Sequence, residues 1–350
     1  MKLHVLWTYL GIKILVPSGL LKIVAGIVLL VALFFTTSLL AVTPPKALEP
    51  VTVGMLKFGT ARWEMQVIKD HKLDEKFGID LKLMDVASKQ ASHVAIMAGE
   101  ADIVLSDFLW VAVLRGQGDG FTLVPHSYAV GGLIVPANSA ISSLTDLPGK
   151  TIGVAGGPVD KSWVTLQAYY LQQTGDTLAD KVNARFGAPP LINELLAEGQ
   201  IDASLNFWHW NARAKADSNI ELVSVASMMD EMGISPKPPL LGWVFRNSVA
   251  EDRPQAIKGF MDASFAAKNL LLNDDSVWKT LRDKMRATDN DVLFEKLRDD
   301  YRAGILTSYD EETIVAAAAL FEIMAEIGGE DLVGKSKTMD PGTFWDGYRR

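Results

Sequence analysis

Two short segments hold most of the side chains that could grip a ligand: residues 151–163, TIGVAGGPVDKSW, and residues 199–210, GQIDASLNFWHW. The first reads as a buried strand through Ile152 and Val154 that turns at Gly156-Gly157-Pro158 into a helix. Unpaired N–H groups at a helix start suit a ligand. The second reads as a helix stop at Gly199, a strand over residues 201–205, and a run of aromatics. Corners of this kind assemble a pocket that captures something small.

Other candidates fall at the same kind of place, where a strand ends and a loop begins. Lys57, Arg62, Trp63 and Glu64 follow the first strand, Ser88 and Gln90 the second, and Ser106, Asp107 and Trp110 the third. Tyr128 precedes a crossing between two lobes. Pro158, Lys161, Ser162 and Trp163, then Asn206, Phe207, Trp208 and His209, complete the set. Five of the nine tryptophans sit at these corners: Trp63, Trp110, Trp163, Trp208 and Trp210. An indole on an exposed loop is costly unless it stacks on something. The pattern therefore predicts a ligand with a flat ring, or a cation boxed by aromatics. Glu64 and Asp107 suit a cationic or hydrogen-bonding ligand better than a bare anion. Each residue taken singly also fits a blander role: packing for a tryptophan, a helix cap for an acid, surface charge for Lys57, Arg62 or Lys161. His71 and His93 read as helix-surface residues, and His209 is the histidine to test.

Catalytic patterns are missing from the sequence. It has no phosphate-binding Gly-Lys-Ser/Thr loop, no His-Glu-x-x-His and no Gly-x-Ser-x-Gly elbow. Gly153-x-x-Gly156-Gly157 lacks full dinucleotide-binding spacing, and Asp289-Asn290-Asp291 is too short for a calcium loop. No cofactor, metal or enzymatic role is expected.

These corners need elements to carry them. Residues 51–58 alternate as a first strand, a helix covers 62–71, a strand 77–86, a helix 90–97 and a strand 101–105. The plan repeats as strand 152–154, helix 162–172, strand 182–186, helix 191–197 and strand 201–205. Strands alternating with helices predict an α/β fold with doubly wound parallel sheets in two lobes. At a shift of 100 residues Gly99 matches Gly199, Asp102 matches Asp202, Leu105 matches Leu205 and Trp110 matches Trp210. Each Gly would cap a helix and each Asp turn the chain. Residues 131–142 and 240–247 read as crossings between lobes, giving one lobe of 51–131 with 243–350 and another of 132–242. After residue 252 the chain reads as packing helices, the last with a capping box of Ser308 and Glu311 and a stop at Gly328.

At 350 residues, 49% of them hydrophobic, the chain can bury two cores. A net charge of −8 with no basic run argues against nucleic acid. With no cysteine there are no disulfides, thiolate metal sites or cysteine nucleophiles. Lys2, Lys13 and Lys22 precede an uncharged stretch of 20 residues, 23–42, and then Pro44 and Pro45. That describes an export signal, cleaved after about Ala41, or a retained membrane anchor, since the run is long enough to span a bilayer. In either case the remainder is exported.

The stretches KDHKLDEKFGIDLKLM, VAIMAGEADIVLSD, ISSLTDLPGKTIGVAGG and NELLAEGQIDASLNFW resemble the solute-binding proteins of ABC importers for nitrate, sulfonates, taurine and thiamine precursors. The matching features are Phe77-Gly78, Gly99 with Asp102, Gly199 with Asp202, and Asp146-Leu147-Pro148-Gly149-Lys150, spread over residues 51–272. The resemblance implies a bilobed periplasmic binding protein of the two-crossing type, a monomer that closes on a small-molecule solute and hands it to permease and ATPase subunits at the inner membrane. A membrane-tethered sensor without its own permease is the alternative it leaves open, and an enzyme on the same fold a further one. Many members place Ser or Thr after the second-lobe strand to hold an anionic group. Here Gly156-Gly157-Pro158 stands there, which argues against nitrate or a simple sulfonate.

Overall fold

The computed structural model describes residues 47–57 and 59–349. The expected signal peptide or anchor, residues 1–45, lies outside the described residues. Among the described residues no helix is long and apolar enough to cross a membrane.

Among the described residues, ten strands form two five-stranded sheets. They are β1 Glu49–Leu56, β2 Ile79–Val86, β3 Ile103–Asp107, β4 Phe121–Ser127, β5 Gly132–Val135, β6 Thr151–Ala155, β7 Asn183–Gly187, β8 Ala203–Asn206, β9 Ile220–Ser224 and β10 Leu241–Arg246. The first sheet has the order β2-β1-β3-β10-β4 and the second β7-β6-β8-β5-β9. β1 runs parallel to β2, with Glu49 opposite Ile79 and Leu56 opposite Val86, and parallel to β3. In the second sheet β6 runs parallel to both β7 and β8. Helices cover both faces, so the central strands are buried and read as apolar runs such as Ile103-Val104-Leu105.

The sheets are mixed rather than purely parallel. The two segments that read as crossings are themselves strands: β10 lies antiparallel between β3 and β4, and β5 antiparallel between β8 and β9. The second sheet is built from the consecutive strands β5 to β9, and the first from β1 to β4 plus β10, which returns after the second passage. The chain passes between sheets at residues 128–131 and again at 225–240.

The 100-residue echo has a structural basis. Gly99 ends helix Lys89–Ala98 at φ 77°, and Gly199 follows helix Pro189–Ala197 at φ 68°, both in the left-handed region where a side chain is strained. Asp102 Oδ2 accepts from the backbone N–H of Thr52 at 2.8 Å, and its own N–H donates to the Thr52 carbonyl. Asp202 makes the same pair of bonds with Thr151, at 2.7 Å to Oδ2. Each aspartate clips the start of one strand to its parallel neighbour, β1 to β3 and β6 to β8.

The helices after residue 253 cover the first sheet and reach the second. Pro254–Asn273 packs on Ala61–Asp70, Asp291–Ala303 on Trp208–Ala216, and Glu311–Val333 on both Phe108–Gly116 and Lys161–Thr174. The last is capped by Asp310, whose carboxylate accepts from Thr313 N–H at 3.0 Å, in place of the expected Ser308 box. Its helical path breaks at Gly329 (φ 60°), one residue beyond the expected stop.

Candidate functional site

A cavity of about 290 Å³ lies where the carboxyl ends of the central strands of both sheets face each other. The first sheet contributes Gly54, Met55 and Leu56 of β1, Leu105 and Ser106 of β3, and Leu241 of β10. Helix starts add Ala61 and Arg62, and Lys89 with Ser92. Across the gap stand Asp160, Lys161 and Ser162, and then Phe207, Trp208 and His209. Most of this wall is apolar, and its charged members are three cations, Arg62, Lys89 and Lys161, against the single acid Asp160.

Local sequence explains why these groups converge. Lys89 is the first residue of its helix after Ser88, whose hydroxyl accepts from Ala91 N–H at 3.1 Å. Lys161 is the first residue of its helix after Asp160, whose carboxylate accepts from Ser162 N–H at 2.9 Å. A short polar cap starts each helix, two residues after β2 and five after β6, which plants a lysine near the strand's end. Helices Ala61–Asp70 and Trp208–Ala216 also open at the cavity, and neither has a side-chain cap. Their first N–H groups add partial positive charge there.

Asp107 ties the two sides together. Its Oδ2 lies 2.5 Å from Lys89 Nζ and 3.3 Å from Lys161 Nζ, and its Oδ1 accepts from Trp110 N–H at 2.9 Å. Burial alone would push this carboxyl up, but Lys161 and Lys89 outweigh it and hold the pKa far below the usual carboxylate range. Lys161 is the mirror case: burial works to lower its pKa, and Asp107 with Asp160 raises it. Both stay ionised at neutral pH.

Next to this trio, Ser106 Oγ lies 2.9 Å from His93 Nε2, and the His93 ring stacks face to face on Trp110 at 3.5 Å. Burial, then Lys89, lowers the His93 pKa to about 4, so the imidazole is neutral. His93 is therefore a paired histidine supporting Ser106, not the helix-surface residue its position suggested. His209 lines the cavity with its pKa also lowered to about 4, by burial and then Arg213, and its buried Nδ1 has no hydrogen-bond partner.

Of the fourteen expected site residues, Ser106, Lys161, Ser162, Phe207, Trp208 and His209 line this cavity. Asp107 stands just behind it. The others face elsewhere, for reasons that long-range packing supplies. Trp63 is 4% exposed and meets Trp278 and Tyr301, with centroids 6.2 and 5.7 Å away, and its edge touches Trp208 at 6.0 Å. Glu64 is sealed in the first sheet's core, where it accepts from Lys268 Nζ at 3.0 Å and Ser264 Oγ at 2.5 Å, with the Tyr301 hydroxyl at 3.4 Å. Trp110 is taken up by His93 and by Phe121, and Trp163 is buried against Phe186. Asn206 is buried, its Nδ2 donating to the Pro189 carbonyl at 2.9 Å, while Pro158 is exposed on a turn away from the cavity. Tyr128 lines a second, smaller pocket.

The aromatic box foreseen from five corner tryptophans thus reduces to Trp208 with Phe207. The two acids that pointed to a cationic ligand are also consumed, Glu64 by Lys268 and Asp107 by two lysines. Lys89 and Asp160 were missed. Lys89 carries the same signal as Lys161, a lysine at the first helical position after a capping residue at a strand's end.

The fold recurs among solved structures. The alkanesulfonate-binding protein SsuA from Xanthomonas axonopodis pv. citri, bound to MOPS, superposes with a TM-score of 0.66 at 16% identity, over 85% of this chain and 99% of that one. The periplasmic aliphatic sulphonate binding protein SsuA from Escherichia coli gives 0.68 at 16% identity, over 86% and 94%. The desulfurization enzyme DSZB gives 0.53 at 15% identity, over 80% and 92%. No curated protein sequence matches the chain. The model of the family described as "NMT1/THI5 like" matches residues 75–275, more than half of the sequence and every strand of the second sheet, and the chain belongs to that family.

Proposed function

We propose that the chain is the exported solute-binding component of an ABC importer, with one lobe of residues 51–131 and 243–350 and the other of 132–242. It captures a small organic anion with an apolar or aromatic body and delivers it, unaltered, to a membrane permease. The observation that carries this reading is the cavity itself: about 290 Å³, walled by strand ends of the first sheet and by helix starts that follow strands of the second, and bridged by Lys161 to Asp107. A site split between two bodies binds by bringing them together, so solute favours the closed arrangement over the open one.

The chemistry of the wall selects the ligand class. Arg62, Lys89 and Lys161 stand against Asp160 and Asp107, with Asp85 paired to Arg62, so the uncapped helix starts tip the wall positive, and Leu56, Leu105, Leu241, Phe207 and Trp208 offer apolar contact. The proposed contacts are Arg62, Lys89, Lys161, Ser106, Ser162, Phe207, Trp208 and His209. The sulfonate-binding proteins that share the fold support an anionic head. The mostly binding-protein neighbours, together with a cleft that lacks a recognised catalytic motif, support transport over turnover.

The test is thermal unfolding of the full chain, purified in detergent, against alkanesulfonates, aryl carboxylates and their amine counterparts, with mass spectrometry of whatever co-purifies. A ligand at a hundredfold excess over its Kd adds about 2.7 kcal/mol. For a chain of this size that is a rise of about 4 °C. The expected result is stabilisation by an organic anion, recovered chemically unchanged, and its loss in Lys89→Met and Lys161→Met. Stabilisation by amines alone, or by nothing in the panel, overturns the reading.

A further inference from the structure

A second pocket, of about 120 Å³, lies beside the first and shares with it Ala129, Val130 and the indole of Trp208. It sits where the chain passes between the sheets. Tyr128 belongs to the first passage and Lys237 to the second, Asp300 to the helix packed on the first sheet's side, and Asn211 and Lys215 to helix Trp208–Ala216. An occupant would touch both sheets' elements and both passages at once.

Its polar groups are unevenly satisfied. Lys215 Nζ lies 2.8 Å from Asp300 and 3.6 Å from Glu221, so one ammonium already has two carboxylates. Lys237 has none among the described residues: its ammonium lies 5.3 Å from the Tyr128 ring centroid, and burial lowers its pKa with no acid opposing. A half-buried cation without a counter-ion is costly, and an incoming carboxylate removes that cost. Asn211 is 2% exposed and its Nδ2 donates to the Gly132 carbonyl at 2.9 Å, which fixes the amide. Its Oδ1 has no partner and calls for a donor. Glu221 and Asp300 share the one ammonium of Lys215, which leaves negative charge in the pocket that Asn211 also lines.

We propose that this hinge pocket is a binding site for a small zwitterionic α-amino acid, its carboxylate on Lys237 and its ammonium toward Asn211 Oδ1 and the Glu221–Asp300 pair. Size supports the class, since a cavity of about 150 Å³ holds benzene and a somewhat smaller one holds about five or six non-hydrogen atoms. Charge supports it too. Lys215 and Lys237 balance Glu221 and Asp300, so a net-neutral occupant fits where a dianion such as phosphate meets two acids. Because the occupant spans both passages and abuts Trp208, it couples hinge position to the central cavity, and by linkage central solute changes its affinity in turn.

Titration calorimetry on the full chain in detergent tests this with L-alanine, propionate and inorganic phosphate as probes. The site stands whether or not the central cavity takes an organic anion. L-alanine is expected to bind, propionate and phosphate about tenfold more weakly or not at all. Lys237→Met abolishes the heat, Lys237→Arg retains it, and Lys89→Met, in the central cavity, leaves it in place. No heat with L-alanine, heat unchanged in Lys237→Met, or heat lost in Lys89→Met instead would each overturn the assignment. The last outcome would place the amino acid in the central cavity and leave the solute-receptor reading intact.

Discussion

Lys161 Nζ lies 3.3 Å from Asp107 Oδ2, and the two residues belong to opposite sheets: Lys161 opens the helix after β6, and Asp107 ends β3. The ion pair joins the two walls of the cavity, and Lys89 holds the same carboxylate from the near side at 2.5 Å. Asp107→Asn removes the shared counter-charge and leaves two lysines facing each other. Solute affinity is expected to fall about tenfold or more as the bridge is lost. Stability should drop by about 1–3 kcal/mol, read by urea denaturation. A variant with parental affinity would show that the bridge does not hold the bound arrangement.

Glu64 and Lys268 form a buried pair 3.0 Å apart, away from the cavity. Breaking such a pair from one side leaves an uncompensated charge and costs about 3–5 kcal/mol. Glu64→Gln should therefore lower the denaturation midpoint sharply, while Glu64→Gln with Lys268→Met recovers much of the loss. Solute affinity of the folded fraction should match the parent. If Glu64→Gln instead weakens solute with stability intact, Glu64 belongs to the site after all.

His93 and His209 have pKa values lowered to about 4 in the fold, against an ordinary value of 6.5. The unfolded chain therefore takes up protons that the folded chain refuses. Stability is full above pH 6.5 and declines as pH falls from 6.5 toward 4. His126, buried and lowered the same way, adds to this slope. Melting temperatures taken across that window should fall more steeply for the parent than for His93→Gln with His209→Gln, and equal slopes would contradict the neutral imidazoles.

Asp102 and Asp202 accept from the N–H of Thr52 in β1 and of Thr151 in β6, but Asp102 also pairs with Arg253. Asp202→Ala should cost about 1 kcal/mol, the value of one such bond, and Asp102→Ala measurably more. Chemical denaturation of the two variants side by side checks the order, and equal losses would show that Arg253 adds nothing.

Gly131 and Gly157 provide a contrast within the second sheet's approach to the cavity. A Cβ on Gly131 would meet the Asn206 carbonyl oxygen at 1.6 Å, whereas one on Gly157 meets nothing within 4 Å. Gly131→Ala should push the end of β8, and with it Phe207 and Trp208, out of place and abolish solute binding. Gly157→Ala should leave binding and melting temperature unchanged.

What sequence revealed and concealed divides by the range of the forces involved. Gly99 and Gly199, with Asp102 and Asp202, were legible as a repeat because a left-handed helix end and a strand clip need those residue types whatever surrounds them. The same holds for Lys161 and Ser162 at a helix start. Trp63 and Trp208 were indistinguishable by position, since each follows a strand closely. Trp63 is buried because Trp278 and Tyr301, more than two hundred positions onward, close over it, whereas Trp208 keeps a face on the cavity. β5 and β10 were read as crossings because nothing local distinguishes a connecting strand from one that inserts into the next sheet.

By itself, then, the sequence determined the order of strands and helices, the doubled plan and the corners at which a ligand can be met, all of them consequences of local backbone chemistry. Tertiary structure alone decided which charges at those corners are paired, and with what. Glu64 and Asp107 read as bait for a cation until Lys268 and Lys161, distant in the chain and adjacent in space, pair with them. A buried carboxylate must find a cation, and which cation lies near is settled only when the sheets and helices pack.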